Sequence, residues 1–95
     1  MGSTSLYKDC TYVADLLAWL SQSGGALPKG MPKNPLKDPA ETIRFGVRLA
    51  FESDSYWQSL PKKFTYTLWG YSTVITTRRL RTEFREVMLP YRRGV

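Results

Sequence analysis

Arginines are the residues of this sequence best suited to bind a ligand. The stretch from Thr76 to Met88, TTRRLRTEFREVM, holds four arginines among thirteen residues and interleaves them with apolar side chains. A guanidinium group keeps its charge at any working pH and offers paired N–H donors that match two phosphate or carboxylate oxygens. The first question is therefore whether this segment binds an anion or is an ordinary surface helix with a charged outer face.

The spacing in this stretch predicts an amphipathic helix whose charges are sorted by side. At about 100° per residue, one apolar stripe is formed by Leu80, Phe84, Val87 and Met88. Arg78, Arg81 and Arg85 follow one border of that stripe with no acidic neighbour on the same helix. On the other side, Arg79 and Glu83 form an i,i+4 pair. A β pattern that continues through Thr77 is the competing interpretation.

The row of arginines along one border of the apolar stripe favours phosphate binding. Thr76 or Thr77 is expected to cap the helix and Pro90 to end it. The predicted anion contacts are Arg78, Arg81, Arg85, Arg92 and Arg93, with Arg44, Arg48 and Trp69 as secondary candidates. The alternative is that the arginine stems cover apolar surface and their charged ends are simply solvated.

Enzymatic chemistry has little to draw on here. The chain has no histidine and one cysteine, Cys10, so it lacks a Ser-His or Cys-His pair and the usual ligands of zinc. The acidic residues are scattered, and the nearest pair, Glu52 and Asp54, falls in a serine-rich turn. We predict a protein that is not an enzyme and has no metal site and no cofactor. A lone cysteine fits an intracellular, reducing compartment such as the cytoplasm or the nucleus.

Length and charge indicate one small basic domain. The chain has 95 residues, with 14 Lys and Arg against 8 Asp and Glu, a formal net charge of +6. A bias of this size attracts phosphates, anionic lipid and acidic protein surfaces alike. We expect a disordered N-terminus over residues 1–5, a single domain over 6–90 and a basic tail over 91–95. No apolar run reaches the roughly 18 to 20 residues of a membrane span.

Periodicity predicts an α+β fold around this helix. Apolar residues at spacings of three and four predict a first helix from about Ser5 to Ser23, ended by Gly24-Gly25. Residues Asp38 to Glu41 resemble a capped helix start, with Pro39 in the first turn, but at most one helical turn is expected there. The alternation that begins at once in Thr42–Glu52 predicts a strand, with Arg44 and Arg48 on its open face. A turn follows that holds a short helix near Trp57. Residues 64–77 then predict one strand, or two strands split at Gly70.

The expected architecture is a small two- or three-stranded antiparallel sheet covered by an N-terminal and a C-terminal helix, with a long proline-rich loop. Exposed strand edges in such a sheet make pairing into a homodimer plausible. Trp69 and Tyr71 either join the arginines on the open face, as equipment for stacking bases, or are buried beneath a helix or loop.

The proline-rich loop, residues 24–40, is the second candidate for recognition. Its prolines favour extended polyproline II backbone, and lysines stand at intervals between them. Two overlapping patterns match the minimal spacing of ligands for SH3 domains. The residues that carry this hypothesis are Lys29, Pro32, Lys33, Pro35 and Lys37.

Three functions follow from these features. The first is a non-enzymatic protein that binds nucleic acid, as RNA or single strands, through the arginine-rich C-terminal helix. A sequence-specific DNA reader is disfavoured, because the sequence has no helix-turn-helix spacing, zinc finger or basic leucine zipper. The second is a protein-interaction adaptor of the small accessory or viral type that uses the proline-rich loop or an apolar helix face. The third is a peripheral membrane or matrix-type protein whose basic residues meet anionic lipid.

Overall fold

A computed structural model describes residues 3–93, with side chains from Leu6 onward. The helices are α1 (Ser3–Gln22), α2 (Pro39–Glu52), α3 (Asp54–Ser59) and α4 (Thr77–Arg92). The strands are β1 (Lys63–Leu68) and β2 (Tyr71–Thr76), which follow α3 and precede α4 in the chain. They pair antiparallel into one two-stranded sheet. The predicted α+β class, with helices flanking a small antiparallel sheet, is confirmed.

The core forms where α1, α2 and α4 pack together. Each helix contributes a stripe of side chains that are fully or almost fully buried: Cys10, Val13, Leu17 and Leu20 from α1, Ile43, Val47 and Ala50 from α2, and Leu80, Phe84 and Met88 from α4. Trp57 of α3 and Phe64 of β1 are buried in the same core. The three helices approach closely at Gly46, where a Cβ atom would lie 2.8 Å from Met88 Sδ and 3.1 Å from Val13 Cγ2. A branched side chain has no room at this position.

The strand predicted over residues 42–52 is wrong, because this segment belongs to α2. Asp38 caps the helix by accepting a hydrogen bond from the Glu41 amide, and Pro39 occupies the first turn. The buried residues recur with the period of a helix: Thr42, Ile43, Gly46, Val47, Leu49 and Ala50. Small side chains complete this buried face, whereas the alternation of large apolar residues had pointed to a sheet.

Two helix boundaries differ from the predicted ones. α1 begins at Ser3, so residues 3–5, expected to be disordered, are helical, while Met1 and Gly2 lie outside the described residues. α4 passes through Pro90 and ends at Arg92. Pro90 is in the last turn, where the missing N–H group removes a single backbone hydrogen bond. The predicted basic tail is therefore helical at its start, and its last two residues, 94 and 95, also lie outside the described part.

A tight hairpin joins β1 to β2. Trp69 and Gly70 form the two-residue turn, and both have positive φ, 53° and 82°. This combination is typical of the type I′ turn, whose twist matches that of the paired strands. The register pairs Leu68 with Tyr71 and Phe64 with Ile75 on one face of the hairpin. The split at Gly70 is thus a chain reversal.

One hydrogen bond between α4 and α1 makes stability sensitive to alkaline pH. The Tyr91 hydroxyl donates to the Asp9 carboxylate. Burial, followed by this carboxylate, raises the pKa of Tyr91 to about 12, above the value of about 10 for a free tyrosine. Because the folded-state pKa is the higher one, the contribution is complete below pH ~10 and is lost as the pH rises through ~12.

We expect the free energy of unfolding to fall across this pH window, and to fall less steeply in Tyr91→Phe. Chemical denaturation of both proteins at several alkaline pH values measures the difference. Burial also raises the pKa of Tyr12 and Tyr56, so only the difference between the two proteins reports on Tyr91. Parallel declines would contradict the assignment.

Candidate functional site

Arg81 is built into the tertiary structure. Its Nε donates to the Ala50 carbonyl at 3.0 Å, and its Nη2 donates to Asp54 Oδ1 at 2.5 Å. The guanidinium carbon lies 5.7 Å from the centre of the Trp57 ring, and the side chain is only 16% exposed. This contact also holds the pKa of the Asp54 carboxyl below its usual value. Arg81 ties α4 to the end of α2 and the start of α3.

Arg85 shares the same acceptor and keeps donors free. Its Nε donates to the Ala50 carbonyl at 2.9 Å, while its terminal nitrogens make no hydrogen bond within residues 3–93. The guanidinium carbon lies 5.6 Å from the centre of the Phe51 ring, and that of Arg92 lies 4.3 Å from the same centre. Both distances are within the range of about 6 Å in which a guanidinium is attracted to an aromatic ring. Arg85 and Arg92 therefore form one cationic pair on the Phe51 ring.

A groove of about 820 Å³ runs along this edge of α4. Four cationic side chains line it together with the indole of Trp57 and several hydroxyls: Lys62, Arg78, Arg81 and Arg85. Lys62 and Arg78 are exposed, and neither side chain has a hydrogen bond or an ion pair among the described residues. Asp54 pairs with Arg81 beside the groove. The groove therefore brings unpaired cations from α4 and from the segment before β1 together with the indole of Trp57.

The structure separates the other predicted anion contacts from this groove. Arg44 and Arg48, expected on an open sheet face, lie on the exposed side of α2. Arg44 forms an ion pair with Glu41. Arg48 lines a second groove, of about 620 Å³, that also contains Lys29 and Glu52. The face on which they were expected does not exist, because α2 replaces the predicted strand.

The remaining candidates lie after the end of α4 and in the hairpin turn. Arg93 is exposed next to Arg92 after the end of α4. Trp69 lies at the tip of the hairpin and is 89% exposed, and Tyr71 is 76% exposed. Of the two positions considered for these aromatics, burial under a helix or loop is excluded. Trp69 and Tyr71 are at the tip of the hairpin, whereas the groove lies at its base, beside Lys62 and Thr76.

The proline-rich loop is fastened to the body instead of standing free. The Cys10 thiol and the Thr42 hydroxyl both donate to the Pro35 carbonyl, at 3.1 and 2.8 Å. The Tyr56 hydroxyl donates to the Ala26 carbonyl. Pro32 and Pro35 are half-buried, while the lysines of the loop are exposed: Lys29, Lys33 and Lys37. The adaptor hypothesis thus retains accessible lysines but not a freely presented polyproline strip.

Other kinds of site have little support in the described part of the chain. Among residues 3–93, no cluster of three His, Cys, Asp or Glu side chains is placed to hold a metal ion. No helix there has the length and apolar character needed to cross a membrane. Within the same residues, every buried side-chain nitrogen or oxygen has a hydrogen-bond partner, so no buried polar side chain is left unsatisfied.

The sequence pattern found the arginine edge and missed how it is held. Arg81 and Arg85 bind a carbonyl that lies 31 and 35 residues away in the chain, and no local pattern signals such a contact. Lys62 also lines the groove, but it precedes β1 in the chain, so the spacing of residues in α4 could not predict its position. Comparison with protein-family models, with curated proteins and with solved structures found no match to this chain.

Proposed function

We propose that this protein binds nucleic acid without catalysing a reaction, and that phosphates lie along the groove beside α4. The observation that carries the proposal is the set of cations at that groove, of which Lys62, Arg78 and Arg85 have donors that no residue among 3–93 occupies. A net charge of +6 draws polyanions to the molecule as a whole. The reducing compartment expected for a lone cysteine fits such a partner.

The two inner arginines have different roles in this proposal. Arg85 uses Nε for the Ala50 carbonyl, so its terminal nitrogens remain available for two oxygens of one phosphate. Arg81 donates hydrogen bonds to Ala50 and Asp54, and its charge is paired with that of Asp54. Its role in this proposal is to position the end of α2. Arg92, next to Arg85 on the Phe51 ring, extends the path beyond the groove. Four cations are thus available to phosphates: Lys62, Arg78, Arg85 and Arg92.

The number of available cations sets the expected salt dependence. Each phosphate neutralised on a single strand contributes about −0.7 to the slope of log affinity against log salt, so four contacts give a slope of about −3. Single-stranded RNA is the first probe, because a basic groove with an aromatic side chain is the usual binding surface for single strands. Duplex DNA alongside it measures the preference.

The test is fluorescence anisotropy of labelled single-stranded RNA with Lys62→Gln/Arg78→Gln. Both side chains are exposed and unpaired among residues 3–93, so this variant is expected to fold as the wild type does. We expect its affinity to fall about tenfold or more at low salt and its slope to shrink to about −1.4, the value for two remaining contacts.

Arg44→Gln/Arg79→Gln is the matched control. It removes the same two charges, but from residues that pair with Glu41 and Glu83 away from the groove. We expect a slope close to that of the wild type. Equal weakening in both variants would show a response to net charge alone, and an absence of RNA binding at physiological salt would refute the proposal.

A further inference from the structure

The tip of the hairpin combines extreme exposure with an unfavourable backbone. Trp69 is 89% exposed and has a φ of 53°. This φ lies in the left-handed region, which Asn, Asp and Gly adopt readily and bulky residues adopt rarely. Among residues 3–93 the indole makes no aromatic contact, unlike those of Trp19 and Trp57. Strain at an exposed aromatic that packs on nothing is a reason to look for a ligand.

Burial decreases steadily from the base of the hairpin to its tip. Phe64, at the base, is buried against Trp19 with 5.1 Å between the ring centres, and Tyr66 is half-buried against the same indole. Leu68 is already 49% exposed, and Tyr71, which pairs with it across the strands, is 76% exposed. The hairpin is therefore anchored at one end and presents an apolar tip at the other.

The charged residues lie at the base of the hairpin and are absent from its tip. Residues 64–77 contain no charged side chain, whereas Lys62 and Lys63 precede them and Arg78 and Arg79 follow. At about 3.3 Å per residue, Lys63 lies roughly 17 Å from the turn. An apolar tip followed by a collar of cations is complementary to a lipid surface, in which acyl chains lie beneath anionic headgroups.

We propose that the hairpin tip, Leu68 with Trp69 and Tyr71, inserts into the interface of an anionic lipid bilayer, with the cations at its base against the headgroups. Trp and Tyr favour this depth because the ring is apolar and one edge carries a hydrogen-bonding group. Insertion of the tip by about 5 to 10 Å brings the basal cations to within about a Debye length of the headgroups.

Insertion stops at the tip, because both strands of a two-stranded sheet have an outer edge of unpaired backbone groups that hydrocarbon cannot satisfy. Stacking of a nucleic-acid base on Trp69 fits less well. A stacked base brings its own phosphates, and the charged residues nearest to Trp69 in the chain are Lys63 and Arg78. The inference does not rest on the RNA proposal, because the apolar tip lies outside the groove. Lys62 and Arg78, at the base of the hairpin, belong to both surfaces.

The test is sedimentation with vesicles of phosphatidylcholine, with and without phosphatidylserine, using Trp69→Asn/Tyr71→Ser. Asn suits the positive φ of the turn, so the variant loses the apolar tip while the hairpin is kept. We expect wild-type protein to bind the phosphatidylserine vesicles and the tip variant to partition at least about tenfold more weakly. Tryptophan quenching by brominated lipid should be strong in the wild type and lost in the variant.

Two further variants separate the parts of the proposal. Leu27→Ser/Leu36→Ser removes two exposed apolar residues from the proline-rich loop and should bind vesicles as the wild type does. Lys62→Gln/Lys63→Gln should reduce the preference for phosphatidylserine while leaving some quenching. Equal partition of the tip variant and the wild type, or no binding to either vesicle, would overturn the proposal. Dimerisation in solution that Trp69→Asn abolishes would also overturn it, in favour of a second copy as the occupant.

Discussion

Phe84→Ala is expected to lower the free energy of unfolding by about 4 kcal/mol. The ring is 0% exposed at the centre of the core. Its centre lies 6.2 Å from that of Tyr12 in α1 and 6.1 Å from that of Trp57 in α3. Truncation removes the transfer free energy of a whole aromatic ring and leaves a cavity that helices on several sides cannot fill. A domain of this size has a total stability of about 5 to 14 kcal/mol, so the loss is a large fraction.

Urea denaturation followed by circular dichroism measures this loss. Leu89→Ala, on the same helix but more than half exposed, is the matched control and should change stability by less than about 0.5 kcal/mol. A loss under about 1 kcal/mol for Phe84→Ala would mean that the ring is not enclosed by α1, α2 and α3 in solution.

Gly46→Val is expected to lower the free energy of unfolding by about 3 kcal/mol. A Cβ atom at this position lies 2.8 Å from Met88 Sδ, 3.1 Å from Val13 Cγ2 and 3.6 Å from Phe84 Cζ. A branched side chain must therefore push α1 and α4 away from α2. Gly46→Ala adds a single carbon and gains about 1 kcal/mol of helix propensity, while the flexible Met88 chain gives way. Its net effect should be near zero.

The comparison of Val with Ala at position 46 isolates the crowding from the helix propensity. Denaturation gives the stability of each, and RNA anisotropy shows whether separation of α2 from α4 also disturbs the groove, whose Arg81 and Arg85 both bind the Ala50 carbonyl. Stability of Gly46→Val equal to that of the wild type would show that the three helices do not meet at this glycine.

Local signals were enough to predict most elements of the fold. The first helix, the short helix near Trp57, the strands on either side of Gly70 and the Arg79–Glu83 pair all rest on contacts within a few residues, and all are present. α2 was missed because two local signals conflicted. The cap at Asp38 and Pro39 indicated a helix, and the alternating large apolar residues indicated a strand. Packing against α1 and α4 decided between them, and packing is not a local property.

The candidate site was predictable only as a list of charges. Helical spacing placed Arg78, Arg81 and Arg85 on one edge, as the structure has them. Which of these arginines are free depends on groups from α2 and α3, since Ala50 and Asp54 occupy Arg81. The exposure of Trp69 depends on where the hairpin leaves the body, and the sequence of the strands does not state that.

The hydrogen bond from Cys10 to the Pro35 carbonyl makes the cysteine a natural reporter of loop opening. The thiol is fully buried, and burial raises its pKa, so a thiol-directed reagent reaches a reactive thiolate only after the loop has lifted from α1. The rate of alkylation in native buffer, relative to that of unfolded chain, therefore gives the free energy of that local opening. Because Thr42 donates to the same carbonyl, an opening in which Pro35 moves away from α1 also detaches the loop from the first turn of α2.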